Sequence, residues 1–150
     1  MSHVASLLRA EDIVLDLVVA NKDELLDAVG RHMERLHGLP QVDVTRDLAR
    51  REQVGSTGVG QGVAIPHARV PNLGRILVAY LRLGLPVPYA AADGKPVSHV
   101  MVLLVPKQAA EEHITILAET TRMLGDSAFR ERLRQCANPQ DVKRLFDAWT

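Results

Sequence analysis

The chain has 150 residues, 47% of them apolar and 24% charged, enough for one compact domain with a sizeable core and too apolar for intrinsic disorder. Eighteen Lys and Arg balance eighteen Asp and Glu, and only 3% of residues are aromatic. That composition removes the bulk attraction of a non-specific nucleic-acid binder and the stacking platform of a single-strand reader.

In chain order, the β-branched run within 11–20 (Ile13, Val14, Leu15, Leu17, Val18, Val19) predicts a buried strand. Asn21 then reads as an N-cap with Glu24 three residues on, and Leu25, Leu26, Val29, Met33 and Leu36 recur at helical spacing until Gly38 and Pro40. A second, shorter helix is predicted from Asp43 or Val44 to about Gln53. Four glycines within 55–62 predict a loop or bulged hairpin, followed by a short apolar strand, Val63-Ala64-Ile65, stopped by Pro66. Strands are expected at Ile76 to Leu83 and His99 to Val105. Helices follow at Ala110 to Leu124, at about Ser127 to Gln135, and after Asn138-Pro139, a cap with proline at the first helical position. The expected architecture is one α/β domain over 1–150, a mixed β-sheet flanked by helices. A single cysteine, Cys136, allows no internal disulfide and no cysteine-based zinc site. With no run of about 18 apolar residues and no basic-then-apolar leader at Met1-Ser2-His3-Val4, a cytoplasmic location without membrane insertion is expected.

Six histidines are the reactive residues to weigh. His32 and His37, five apart on one helix, diverge by about 140° and form no paired metal face; they, His3 and His99 read as surface or packing residues. His67 follows a glycine-rich loop and a proline and precedes Arg69. A largely unprotonated imidazole can attack phosphorus without a separate base, and backbone N–H groups of such a loop can hold oxygens. An equally weighted reading makes it a structural histidine satisfied by a carbonyl. His113, in Glu111-Glu112-His113-Ile114, sits near a predicted helix start, where amides favour an anion, or is simply an exposed first-turn histidine. The loop fails both the dinucleotide and the phosphate-loop spacing, and Ser56 and Thr57 lack a nucleophile elbow.

The stretch Arg51-Glu52-Gln53-Val54-Gly55-Ser56-Thr57-Gly58-Val59-Gly60-Gln61-Gly62-Val63-Ala64-Ile65-Pro66-His67 resembles the active-site segment of the fructose/mannitol-type (type 2) EIIA domains of the bacterial phosphoenolpyruvate-dependent phosphotransferase system. The resemblance continues through Leu103-Leu104-Val105-Pro106 and Glu112-His113-Ile114 and is greatest to the nitrogen-regulatory branch. It implies that His67 receives a phosphoryl group from a phosphohistidine on an HPr-like carrier, NPr in that branch. It further implies that His113 supports the phosphorylated ring and that Arg51 holds phosphate oxygens, with no cofactor. Implied partners are that carrier and regulatory targets such as potassium transporters or sensor kinases. An EIIB to which phosphoryl passes, or a docking module without phosphorylation, are the alternatives. Many members carry glycine where this chain has Ala68, and a positive φ there would cost about 1 kcal/mol and adjust the loop.

Overall fold

The structure, a computed structural model, describes residues 2–149. Its order is α1 (His3–Leu7), a 3₁₀ turn (Ala10–Asp12), β1 (Ile13–Leu17), α2 (Lys22–His37), α3 (Gln41–Val54), β2 (Gly58–Gly60), β3 (Val63–Ala64), β4 (His67–Arg69), β5 (Leu77–Val87), β6 (Val97–Val105), α4 (Ala110–Gly125), α5 (Ser127–Gln135) and α6 (Pro139–Ala148). The six strands form one mixed sheet in the order β1-β5-β6-β3-β2, with β4 also paired to β6. The expected α/β architecture is the one observed. No helix among the described residues is long and apolar enough to cross a membrane.

Helices lie on both faces, so β6 is buried on both and its side chains alternate between two cores. Met101, Leu103 and Val105 pack with Ile116, Met123, Phe129 and Phe146 of α4, α5 and α6. Val100, Val102 and Leu104 pack with Leu25, Leu26, Val29, Val44 and Leu48 of α2 and α3.

Local signals set the helix ends. The Asn21 side chain accepts from the Glu24 N–H, and α2 stops at Gly38 in the left-handed region, φ 70°. Asn138 caps α6 in the same way ahead of Pro139. The α3 helix starts at Gln41, earlier than the sequence suggested, because the Pro40 carbonyl accepts the N–H groups of Asp43 and Val44 and the Glu34 carboxylate accepts that of Gln41 at 2.9 Å. At the far end of α5, the buried Arg82 guanidinium donates to the carbonyls of Leu133 (2.9 Å) and Cys136 (2.6 Å).

The strand predicted to stop at Pro66 instead resumes. Val63 and Ala64 pair in parallel with His99 and Val100, and His67, Ala68 and Arg69 continue at the same offset against Leu103, Leu104 and Val105. Pro66 has no N–H to give, but its carbonyl accepts from Leu103 N–H at 3.0 Å, so the ladder passes through the break. His67 therefore stands on a strand, next to the central strand of the sheet.

His32 and His37 do meet, through a group outside their helix. Both Nε2 atoms lie 2.8 Å from the same oxygen, Oδ1 of Asp12, which is buried at the end of the 3₁₀ turn. Burial pushes the Asp12 carboxyl up, but hydrogen bonds from His32 and His37 outweigh it and hold the group below the usual carboxylate value. Asp12→Ala strands two imidazole donors and is expected to lower the unfolding free energy by about 3 kcal/mol in urea titration. Because the folded pKa lies below the unfolded one, the Asp12 contribution is full above about pH 4 and disappears as pH falls through the folded value. Equal stability of Asp12→Ala and wild type at pH 7 would contradict this.

Candidate functional site

Three elements bring the three expected site residues to one place. Arg51 comes from the last turn of α3, His67 from β4 and His113 from the first turn of α4, and all line one cavity of about 330 Å³. Asp47, Arg50, Ala68 and Arg69 complete its wall.

The His67 and His113 rings are edge to face, centroids 5.2 Å apart at 63°. His67 is half-buried, and its Nδ1 lies 2.8 Å from the Ile65 carbonyl oxygen. A carbonyl only accepts, so Nδ1 carries the proton and Nε2 of the neutral ring holds a lone pair. Nε2 has no hydrogen-bond partner among the described residues and is not one of the fully buried unpartnered atoms. Thus the two sequence readings of His67 are compatible: the carbonyl satisfies one nitrogen and leaves the other free. On His113, Nε2 is buried and without a hydrogen-bond partner among the described residues.

Burial lowers the pKa of His67; the Ile65 carbonyl opposes this, the Arg51 cation adds to it and the Glu52 carboxylate opposes it. Burial also lowers that of His113, helped by His67, Arg69 and Arg51. Both rings are therefore neutral at pH 7, in a wall carrying the guanidinium groups of Arg50, Arg51 and Arg69 and one carboxylate, Asp47. A neutral nucleophilic nitrogen beside several fixed cations suits an incoming anionic electrophile.

The glycine-rich segment forms the predicted hairpin, β2 running antiparallel to β3 with an irregular register. Gly58 is required by a close approach, since a Cβ there would lie 2.8 Å from the Cβ of Ala91. Gly60 has φ 96°, a conformation that L side chains rarely adopt. Ala68 is not in the left-handed region; it is a buried β4 residue paired with Leu104, so alanine in place of glycine brings no backbone strain.

Sequence reasoning missed Glu52 as a site-building residue. Its side chain is 6% exposed and accepts from Lys22 Nζ at 2.9 Å, from the Thr57 N–H at 3.1 Å and from the Thr57 hydroxyl. Thr57 Oγ1 also meets the Tyr89 hydroxyl at 3.1 Å, and Lys22 Nζ stands 4.1 Å from the centre of the Tyr89 ring. The adjacency of Glu52 to Arg51 was the one available signal, and the partners from α2 and from beyond β5 gave none.

Residues 6–149 match the family described as phosphoenolpyruvate-dependent sugar phosphotransferase system, EIIA 2. The chain is 34% identical over 139 residues to a nitrogen regulatory protein of Bradyrhizobium diazoefficiens, covering 93% of this chain and 91% of that one. It is 39% identical over 128 residues to a nitrogen regulatory protein of Pseudomonas aeruginosa, covering 83% and 82% respectively. The crystal structure of nitrogen regulatory protein IIA-Ntr from Neisseria meningitidis superposes with TM-score 0.91 at 37% identity, over 97% of this chain and 99% of that one.

The electrostatics predict lowered titration midpoints that NMR of the histidine rings can read. In the wild type both His67 and His113 titrate below about 6.5, and Arg51→Met moves the His67 midpoint upward because it removes a nearby cation. A His67 midpoint unmoved or lowered in Arg51→Met would contradict the placement of that guanidinium.

Proposed function

The chain belongs to the phosphoenolpyruvate-dependent sugar phosphotransferase system EIIA 2 family, and from that premise we propose that it is a regulatory phosphocarrier whose acceptor is Nε2 of His67. The donor is a phosphohistidine on an HPr-like carrier of the nitrogen type, NPr. The bond from phosphorus to the donor imidazole breaks as the bond to Nε2 forms, and the donor ring leaves with the electron pair. The His67 proton stays on Nδ1, against the Ile65 carbonyl.

One observation carries this reading: the nitrogen that the Ile65 carbonyl leaves unprotonated belongs to a ring in the arginine-lined cavity. Phosphoryl transfer asks little covalent chemistry of the protein and much positioning and charge neutralisation. We assign the second to Arg51, whose planar fork matches phosphate oxygens, and to His113, whose ring stands edge to face with that of His67 at 5.2 Å. Arg51 Nη1 at present donates to the Gly55 carbonyl at 2.9 Å, a neutral acceptor that a dianion outcompetes.

Capture of the phosphoryl group adds about −1.5 to −2 charges at one surface cavity and changes which proteins dock there. Regulation of such partners, potassium transporters or sensor kinases among them, is the role we assign, in keeping with the relatives named nitrogen regulatory proteins.

Incubation with phosphoenolpyruvate, Enzyme I and the carrier tests the proposal. The wild type gains an acid-labile phosphoryl group, His67→Ala gains none, and His113→Ala and Arg51→Ala are slowed by about 10- to 1,000-fold. Because the acceptor must be neutral, the wild-type rate falls only as pH drops through the lowered His67 pKa, below about 6.5. Full labelling of His67→Ala would overturn the assignment.

A further inference from the structure

We infer that Glu52 is a positioning residue for His67, acting on the imidazole through Thr57 and the Ile65 peptide. This rests on the reading of His67 as the acceptor. The atoms form an unbroken series. The Glu52 carboxylate accepts from the Thr57 N–H at 3.1 Å and from the Thr57 hydroxyl. The Thr57 carbonyl accepts from the Ile65 N–H at 3.0 Å. The Ile65 carbonyl accepts from His67 Nδ1 at 2.8 Å. Each of the two intervening residues donates toward Glu52 and accepts from the side of His67; its N–H and C=O lie in successive peptide units, so the series acts as a mechanical tether that holds the Ile65 carbonyl in place.

The series is anchored at its head. Lys22 Nζ holds Glu52 at 2.9 Å from α2, and the Glu52 side chain is 6% exposed, so its charge is paired and shielded from solvent. The loop that carries Thr57 is also clasped from outside. Ser56 Oγ donates to the Tyr89 carbonyl at 3.0 Å, the Tyr89 hydroxyl meets Thr57 Oγ1, and Gly58 lies against Ala91. Between these two residues Ala90 has φ 57°, a left-handed conformation that alanine adopts only under constraint. The Asp93 carboxylate takes the Gln61 N–H at 2.8 Å. Thus 89–93 presses the loop onto Glu52, and the loop fixes the Ile65 peptide.

The consequence at His67 is a choice of tautomer. A neutral imidazole in water places its proton on either nitrogen; only the Nδ1–H form presents a lone pair at Nε2. A firmly placed Ile65 carbonyl selects that form, and Glu52 sets how firmly it is placed. The charge of Glu52 also opposes that of Arg51 at the ring. The other charged or titratable groups facing His67 are Asp47, Arg50 and Arg69 around the cavity, and His113 from α4.

A pair of Thr57 variants separates positioning from folding. Thr57→Ser keeps both links to Glu52, whereas Thr57→Val keeps the size and the N–H link and removes the hydroxyl link, which loosens the hold of Glu52 on the loop. With the carrier as donor, Thr57→Val and Glu52→Gln are expected to lower kcat about fivefold to tenfold with KM within about twofold, and Thr57→Ser to stay within about twofold of wild type. Ring ¹⁵N shifts at pH 8 are expected to show His67 as the Nδ1–H tautomer in wild type and Thr57→Ser, and as a mixture in Thr57→Val. The proposal is overturned if Thr57→Val keeps the wild-type tautomer and kcat, or if Thr57→Ser is slowed equally. Should the wild type accept no phosphoryl group while Thr57→Val still shifts the tautomer, the phosphocarrier reading falls and the positioning role stands.

Discussion

The hydrogen bond from His67 Nδ1 to the Ile65 carbonyl is the constraint on which the site depends. It fixes the ring plane, assigns the proton to one nitrogen and leaves the other as an acceptor of whatever enters the cavity. The break between β3 and β4 makes it possible. On the β6 side the Pro66 carbonyl takes Leu103 N–H, while Ile65 faces the other way, its N–H bonded to the Thr57 carbonyl and its own carbonyl accepting from the imidazole. Proline at this point interrupts the strand without ending it, and the same offset against β6 on both sides keeps His67 registered to the most deeply buried strand of the sheet.

Charge is local in this protein. The whole chain is balanced at +0, so the field at the cavity comes from placement rather than excess. Arg50 and Arg51 arrive together at the C-terminal end of α3, where cations also meet the negative pole of the helix, and Arg69 arrives from β4. Burial keeps both imidazoles neutral, while Arg51 is half-buried and Arg50 and Arg69 stand exposed at the rim. Such a wall suits an anionic ligand, and among the described residues lining it Asp47 is the one carboxylate.

What could be read from the sequence was what is local. The caps Asn21 and Asn138, the stop at Gly38 and the span of α5 follow from side chains bonding to backbone a few residues away. The glycine-rich hairpin before His67 was visible for the same reason, and the resemblance of 51–67 and of 112–114 to family segments added the roles expected of Arg51 and His113. Long-range pairs were invisible. The short helix α1 was not foreseen, because it depends on Glu119 of α4 accepting its first N–H groups, 115 and 116 residues away, and on the burial of Val4 and Ala5. The divergence of His32 and His37 was read correctly as helix geometry, but a third residue, Asp12, joins them from outside the helix. The concern over Ala68 assumed a turn where the chain is a strand.

The most direct test of the account is the identity of the phosphorylated atom. Phosphorylated protein with ¹⁵N in its histidines, examined by ³¹P and ¹⁵N NMR, shows which ring nitrogen of His67 is bonded to phosphorus. The expected atom is Nε2, with Nδ1 still protonated against the Ile65 carbonyl. Phosphorus on Nδ1 would mean that the bond to Ile65 breaks before transfer, and the geometry described here would not be the one that reacts.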